Sequence, residues 1–158
     1  MTKKYRYEIP TTIFFLTAAA VLLLDQLTKI LIRQNIPTGV SVPIIPKILF
    51  LSHTTNTGAS FSLLTTYSFL LTSVAIAVIL GIILLYKKIP NEYKLSFALI
   101  LGGTAGNLID RLWFGTVTDF VDFRIWPIFN VADSAITLAA ILLIIAVFRE
   151  EKEIYTKS

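Results

Sequence analysis

The stretch Thr12–Arg33, TIFFLTAAAVLLLDQLTKILIR, indicates the fold class of this chain. A helix needs about 20 mostly apolar residues to cross the hydrocarbon core of a bilayer, and this segment, which begins with the charge-free run Ile13–Leu24, is long enough. Two charged residues follow that run, Asp25 and Lys29, and because they are four apart they share a helix face and can pair. The sequence therefore predicts a membrane-spanning helix that carries an acid and a base.

The composition of the whole chain agrees with a membrane location. Hydrophobic residues make up 55% of the 158 positions, and the charged ones (14 Lys or Arg and 10 Asp or Glu) only 15%, whereas a soluble domain has roughly 25%. With a mean hydropathy of +0.75, a soluble domain of this size would expose too much apolar surface. The absence of cysteine excludes thiol catalysis and thiolate metal sites, and the single histidine, His53, is expected in a loop without a chemical role.

Three further segments are apolar and long enough to cross a membrane, which predicts an all-α integral membrane protein with four transmembrane helices in one domain, residues 1–158. The predicted spans are about 12–33, 67–86, 95–114 and 128–148. A cleaved signal peptide is the competing interpretation of the N-terminus, but Ala18–Ala20 lies inside the apolar run and no polar cleavage region follows it.

Basic residues in the connecting segments predict the orientation. Nine lie at the two ends of the chain and between the second and third spans: Lys3, Lys4, Arg6, Lys87, Lys88, Lys94, Arg149, Lys152 and Lys157. Four lie on the opposite side: Arg33, Lys47, Arg111 and Arg124. The positive-inside rule then places both termini in the cytoplasm. Since the basic residues sort by membrane side and form no patch, a nucleic-acid partner is not expected.

Two segments are predicted on the outer side. The first, about 34–66, is long, and its part Lys47–Ser62 mixes β-branched, aromatic and hydroxyl residues, which predicts a small β element at the membrane surface. The second, about 115–127, is read as a short connection. Aromatic residues of these segments are candidates for a lipid-side groove, with ordinary packing as the equal alternative: Phe61, Phe120 and Trp126.

The polar residues of the predicted helices gather towards this outer side. Besides Asp25 and Lys29, they are Asn107, Asp110 and Arg111 of the third span and Asn130 and Asp133 of the fourth. Asn56, Asp119 and Asp122 lie in the outer segments. Ionisable residues inside spans are costly and suggest a functional site, so we expect one at the outer membrane boundary.

Each of these features also has a structural interpretation, and spacing alone leaves both open. Asp25 and Lys29 could be a structural ion pair, and Asp133 could cap the fourth helix. Asp119 and Asp122 could be solvated loop acids. The small residues of Gly102–Gly106, with their G-x-x-x-G step, are expected to let the third span pack closely against a neighbour.

Five short motifs occur in order along the chain: Asp25-Gln26-Leu27-Thr28-Lys29, Asn56-Thr57-Gly58-Ala59-Ser60-Phe61, Gly106-Asn107-Leu108-Ile109-Asp110-Arg111, Val117-Thr118-Asp119-Phe120-Val121-Asp122-Phe123 and Phe129-Asn130-Val131-Ala132-Asp133-Ser134. They resemble the D-Q-x-T-K, N-x-G-A-x-F, G-N-x-x-D-R, V-x-D-[FM]-x-D and F-N-x-A-D-[ST] motifs of the lipoprotein signal peptidases (signal peptidase II). Five motifs in order, over nearly the whole chain, are a specific match.

The resemblance implies a bacterial intramembrane aspartic endopeptidase that removes the signal peptide from prolipoproteins, cleaving just before a cysteine that carries diacylglycerol. Motif by motif, it implies Asp119 and Asp133 as the catalytic pair. The supporting or substrate-binding residues that it implies are Asp25, Lys29, Asn56, Asn107, Asp110, Arg111 and Asn130. It implies no metal or other cofactor. We expect a monomer in the cytoplasmic membrane, in contact with membrane lipids, with its active site at the outer face.

Other membrane functions fit the sequence less well. A small polytopic transporter or channel subunit is the main alternative, but its pathway should carry polar residues to the inner side, where these spans are almost wholly apolar. A non-catalytic scaffold would not require two acids that flank one short outer segment. A serine intramembrane protease is disfavoured because the chain has no G-x-S-x-G motif.

Overall fold

The computed structural model describes residues 8–57 and 64–155, and the side chains of residues 8–57 and 68–149. This part of the chain forms four long helices: α1 (Thr11–Asn35), α2 (Leu64–Leu85), α3 (Lys94–Phe114) and α4 (Val131–Tyr155). Two short 3₁₀ turns, Tyr86–Lys88 and Asn91–Tyr93, connect α2 with α3. Within these described ranges, three segments are long and apolar enough to cross a membrane: Thr11–Asn35, Ser68–Lys88 and Val131–Arg149.

Large apolar side chains cover the outside of the helices, while small ones fill the contacts between them. Leu23, Phe69 and Leu84 are between 61% and 77% exposed, whereas Ala98 and Ala132 are buried. A helix that is apolar towards its surroundings as well as towards the core is typical of a membrane span.

α3 packs against each of the other three helices, and its glycines allow the close approach. A Cβ atom at Gly102 would collide with the backbone of α1, and one at Gly103 would lie 2.7 Å from the carbonyl oxygen of Ala132 in α4. A Cβ atom at Gly106 would collide with the carboxylate of Asp25. The predicted close packing of this small-residue run is confirmed, and it serves two neighbouring helices at once.

A three-stranded antiparallel sheet closes one end of the bundle, in the order β1 (Ser41–Ile45), β2 (Leu49–Asn56), β3 (Val117–Asp122). The predicted β element of the first outer segment is present as β1 and β2, although it begins earlier than expected. Residues 58–62 of the predicted element lie outside the described residues.

The third strand lies within residues 115–127, for which the sequence predicted only a short outer segment. Gly115, with φ +72°, ends α3 in the left-handed region, and the chain then turns directly into β3. Because its partner strand lies about 60 residues earlier, a six-residue segment offers no local signal of the pairing. Phe129 also forms a bridge with Val121, so α4 begins at Val131 and not at the expected residue 128.

His53 is likewise not a loop residue. It lies within β2, is 7% exposed, and its Nδ1 lies 2.6 Å from the carbonyl oxygen of Ile36. Since a carbonyl oxygen only accepts, Nδ1 carries the proton.

Candidate active site

Eight of the nine residues expected at the site form one hydrogen-bonded network at the sheet end of the bundle. The network joins α1, α3, the start of α4, and the strands β2 and β3. Its members among the expected residues are Asp25, Lys29, Asn56, Asn107, Asp110, Asp119, Asn130 and Asp133. The ninth, Arg111, lies beside the network.

Asn130 holds two carboxylates that come from different elements. Its Nδ2 donates to Asp119 Oδ1 on β3 at 2.7 Å, and its backbone N–H donates to Asp133 Oδ2 at 3.2 Å. The backbone N–H of Asp133 donates back to Asn130 Oδ1 at 2.9 Å. This reciprocal pair is a capping box. Asn130 is therefore the N-cap of α4, and Asp133 is not the cap but its partner one turn later.

Asn107 fixes the second oxygen of Asp133. Its Nδ2 donates to Asp133 Oδ1 at 2.9 Å, while its own Oδ1 accepts from Lys29 Nζ at 2.8 Å and from Asn130 Nδ2 at 3.1 Å. Because this oxygen already accepts from one ammonium and one amide, Asn107 presents its N–H group to the carboxylate of Asp133. The rotamer of Asp133 is consequently set from α3 as well as from its own helix.

Lys29 and Asp25 form the expected ion pair, fully buried, with Nζ 2.8 Å from Asp25 Oδ2. Lys29 Nζ also lies 3.5 Å from Asp110 Oδ2. Asp25 Oδ1 accepts the backbone N–H of Ala132 at 2.9 Å, which places a negative charge at the N-terminus of α4, where the helix dipole favours it. The pair therefore connects α1 to the helix that carries Asp133.

Arg33, a network member that the sequence interpretation missed as a site residue, lies one turn beyond Lys29. Its Nη1 is 3.3 Å from Asp110 Oδ1 and 3.0 Å from Thr118 Oγ1, and its guanidinium lies over the ring of Phe114. The other oxygen of Asp110 accepts the backbone N–H of Thr118 at 2.9 Å. Asp110 thereby anchors the strand residue just before Asp119. The i, i+4 spacing from Asp25 through Lys29 to Arg33 was the available signal.

Gln26 is a second missed residue. Its Nε2 donates to the backbone oxygen of Gly106 at 2.9 Å, and it also lies within 3.3 Å of oxygens of both Asp25 and Asp110. Its position in the first motif was the only hint.

Asp119 is 2% exposed and is not the solvated loop acid of the structural interpretation. Burial raises the pKa of Asp119 to about 6, and the nearby Asp133 charge adds to the rise. Hydrogen bonds from Asn56, at 2.9 Å to Oδ2, and from Asn130 act in the opposite direction. A carboxyl with a pKa near neutrality can hold or release a proton under physiological conditions.

Asp122 is also buried, at 4% exposure, on the face of β3 opposite to Asp119. Burial would raise its pKa, but hydrogen bonds from Ser52 Oγ and the backbone N–H of Arg124, with the Arg124 charge, outweigh that effect and lower the pKa. Asp122 is therefore a firmly ionised acceptor within the sheet.

Arg111 is half-buried on α3, and its positive charge interacts electrostatically with Asp133 and Asp119. Its guanidinium makes no hydrogen bond or ion pair with the described residues. It supplies positive potential beside the carboxylates rather than a direct clamp.

The three aromatic candidates for a lipid-side groove differ in their burial. Phe120 is 5% exposed and packs against Ile32 and Ile36 in the core, so the packing alternative is correct for it. Trp126 is 69% exposed and is available to lipid or substrate. Phe61 lies outside the described residues, as does the Gly58–Phe61 part of its motif.

These observations assign the chain to a class of proteins: helical membrane proteins that hold a pair of carboxylates at one end of the bundle. Comparison with known proteins agrees with this class. A family model described as signal peptidase (SPase) II matches residues 17–149. Since this match covers most of the sequence, the chain belongs to the signal peptidase II family.

Individual relatives support the assignment. The chain is 39% identical over 140 residues to the lipoprotein signal peptidase of Halothermothrix orenii, covering 87% of this chain and 97% of that one. It is 44% identical over 133 residues to the lipoprotein signal peptidase of Moorella thermoacetica, covering 82% and 89%. The transporter or channel alternative finds no support in these relatives.

Solved structures show the same fold. A bacterial membrane enzyme solved by the in meso method at 2.3 Å resolution is similar to this chain with a TM-score of 0.83 and 29% identity, over 92% of this chain and 93% of that one. A second, at 1.9 Å resolution, has a TM-score of 0.81 and 31% identity, over 89% and 95%.

Proposed function

We propose that the protein is an aspartic endopeptidase that removes the signal peptide from prolipoproteins, with Asp119 and Asp133 as the catalytic pair. The observation that carries the proposal is that one amide residue, Asn130, binds both carboxylates. Asn130 is the N-cap of α4, so its hydrogen bonds to the two carboxylates fix their position relative to each other. The family membership supplies the substrate class.

Paired carboxylates can hydrolyse a peptide bond without a metal or a nucleophilic side chain. When two carboxyl groups lie close together, ionising both costs free energy because their negative charges repel. The pair therefore shares one proton. The ionised partner takes a proton from the attacking water, while the protonated partner donates its proton to the carbonyl oxygen. The acid that received the proton from water then gives it to the leaving amine, and the gem-diol returns a proton to the other acid as the C–N bond breaks. The raised pKa of Asp119, about 6, suits this sharing. Because the two acids titrate together, neither is assigned a fixed role.

The surrounding residues keep the pair ready for the reaction. Asn107, Asn130 and Asn56 donate to carboxylate oxygens, which limits the rotation of both acids before substrate arrives. Positioning of this kind lowers the entropic part of the barrier. Arg111 adds positive potential that stabilises negative charge developing on the tetrahedral intermediate.

We further propose that all four helices cross the bacterial cytoplasmic membrane, with both termini in the cytoplasm and the sheet at the outer face. The distribution of basic residues supports this orientation. α3 has fewer lipid-facing residues than the other helices because it packs against all three of them. Its 21 residues reach about 31 Å, enough for the hydrocarbon core.

This placement explains the choice of substrate. We propose that the diacylglycerol chains on the substrate cysteine stay in the lipid while the signal helix lies beside the bundle. The bond just before that cysteine then falls at the outer boundary of the membrane, level with Asp119 and Asp133. Exposed Trp126 at the same end of the bundle offers an apolar surface for the acyl chains.

The test uses the purified full-length protein in detergent and a prolipoprotein with a diacylglyceryl-modified cysteine. The wild type is expected to release the signal peptide in the presence of a chelator, and the unmodified precursor is expected to stay intact. Asp119→Asn and Asp133→Asn should each reduce kcat by at least about 10³-fold without loss of the folded state, as measured by thermal unfolding. Glu92→Gln, an acid-to-amide change at an exposed position between α2 and α3, is the matched control. Full activity of either aspartate variant would refute the assignment of the pair.

A further inference from the structure

The pairing of β2 with β3 contains an irregularity beside Asp119. Phe50 lies opposite Asp122 and Leu51 opposite Val121, but the next pair is Thr54 opposite Asp119. Three steps along β2 therefore face two steps along β3, which is a β-bulge at Ser52 and His53. Bulges redirect side chains, and they are often found next to active sites.

The bulge turns Ser52 and Asn56 of β2 towards opposite faces of the sheet. Asp119 and Asp122 are three residues apart on β3, so their side chains point to opposite faces of the sheet. Ser52 and Asn56 are four apart, so on a regular β2 strand both would point to one face. Yet Ser52 Oγ donates to Asp122 Oδ2 at 2.8 Å, and Asn56 Nδ2 donates to Asp119 Oδ2 at 2.9 Å. Only the extra residue between them lets one strand bind both acids.

Both residues of the bulge are anchored. The Ser52 hydroxyl donates its one proton to Asp122. In the 2.7 Å contact between the two hydroxyl oxygens, Ser41 is therefore the donor and Ser52 the acceptor. Ser52 and Asp122 are 1% and 4% exposed, and a buried bond to an ionised acceptor is among the stronger ones. His53 is tied to the carbonyl oxygen of Ile36, just beyond α1.

We propose that Ser52 and His53 are positioning residues for the catalytic reaction: they hold the register of β2 in which Asn56 reaches the carboxylate of Asp119. If the bulge closed, a one-residue shift would turn Asn56 to the other face of the sheet. Asp119 would then lose the hydrogen bond from Asn56 and keep that from Asn130, while the exposed apolar surface at Trp126 would be unchanged. This inference rests on the proposed function, and it adds a role for two residues outside the carboxylate network.

The experiment compares Ser52→Ala, Asn56→Ala and the double variant in the prolipoprotein cleavage assay. Ser52→Ala is expected to lower kcat about 10-fold or more, the order expected for a charge-assisted hydrogen bond, with little change in KM. The double variant should be no slower than Asn56→Ala alone, because both changes remove the same bond. Ser52→Thr, which keeps the hydroxyl, should restore most of the activity. Thr17→Ala is the control, because within the described residues the Thr17 hydroxyl bonds to Ile13 of its own helix.

A pH profile separates positioning from general destabilisation. The Asn56 bond stabilises the ionised form of Asp119, so its loss in Ser52→Ala should shift the profile of kcat/KM to higher pH. Unchanged kcat and pH profile, or full additivity with Asn56→Ala, would overturn the proposal. Should Ser52→Ala show no folded state on thermal unfolding, His53→Ala in the same cycle decides by the same criteria. An inactive wild type would instead refute the proposed function.

Discussion

Replacing Lys29 by methionine should destabilise the folded protein strongly, because this side chain compensates two buried acids. Its ammonium lies 2.8 Å from Asp25 and 3.5 Å from Asp110, and it donates to Asn107 at 2.8 Å. Methionine keeps the length and the apolar stem of lysine but leaves both carboxylates without this cation. Arg33 remains on Asp110, so the uncompensated charge falls mainly on Asp25.

The expected size follows from the burial of the pair, both members of which are fully inaccessible. Removing one partner of such a pair costs about 3–5 kcal/mol of folding free energy. For a chain of this length each kcal/mol lowers the unfolding temperature by roughly 2–4 °C, so a fall of about 6–20 °C is expected. Activity should fall as well, since Asn107 loses the contact that fixes its amide towards Asp133.

Thermal unfolding in detergent, followed by intrinsic fluorescence, measures the effect. Lys88→Met removes one positive charge from an exposed position and should leave the unfolding temperature unchanged. The double variant Asp25→Asn/Lys29→Met removes the stranded charge and should unfold at a higher temperature than Lys29→Met alone. An unfolding temperature for Lys29→Met within about 2 °C of the wild type, at most about 1 kcal/mol on this scale, would show that Lys29 does not compensate the buried acids.

Two further predictions concern the helix contacts and the ionisation of the site. Gly106→Ala would place a methyl group against the Asp25 carboxylate and should lower both stability and cleavage activity. An added Cβ atom at Gly81 would meet nothing within 4 Å among the described residues, so Gly81→Ala should be neutral or slightly stabilising. Equal effects of the two changes in thermal unfolding would contradict the close approach of α3 to α1. Asp119 has a pKa of about 6 in the folded protein against an ordinary 3.8. The folding free energy contributed by its protonated carboxyl is therefore complete below about pH 4 and is lost as the pH rises through about 6. The loss amounts to at most about 3 kcal/mol. Asp119→Asn should therefore unfold at a higher temperature than the wild type at pH 7 but not at pH 4, and a difference that does not depend on pH would exclude the raised pKa.

Helix locations and helix faces could be predicted from the sequence because both depend on local periodicity. The apolar runs predicted most ends of the four helices to within a few residues. The spacing from Asp25 to Lys29 predicted an ion pair that the structure contains. The small residues of Gly102–Gly106 indicated a close contact on the same grounds. These features need no knowledge of what the rest of the chain does.

The strand β3 and the burial of its acids could not be predicted in that way. Asp119 and Asp122 look like loop acids in sequence, since two charged residues in six are unusual for a buried strand. Their partners Asn56 and Ser52 come from a strand more than 60 residues earlier. The family motifs pointed to Asp119, but not to the contacts that hold it.

Local sequence patterns are enough to predict a helical membrane protein with its polar residues at one end, because apolar length and the i, i+4 repeat act within a single segment. Which of those residues bind one another depends on tertiary contacts that no local pattern indicates. A strand's partner, its register and a one-residue bulge are set by contacts between distant segments. In this protein those contacts bring Asn56 to Asp119, and the Asn130 cap joins Asp119 to Asp133.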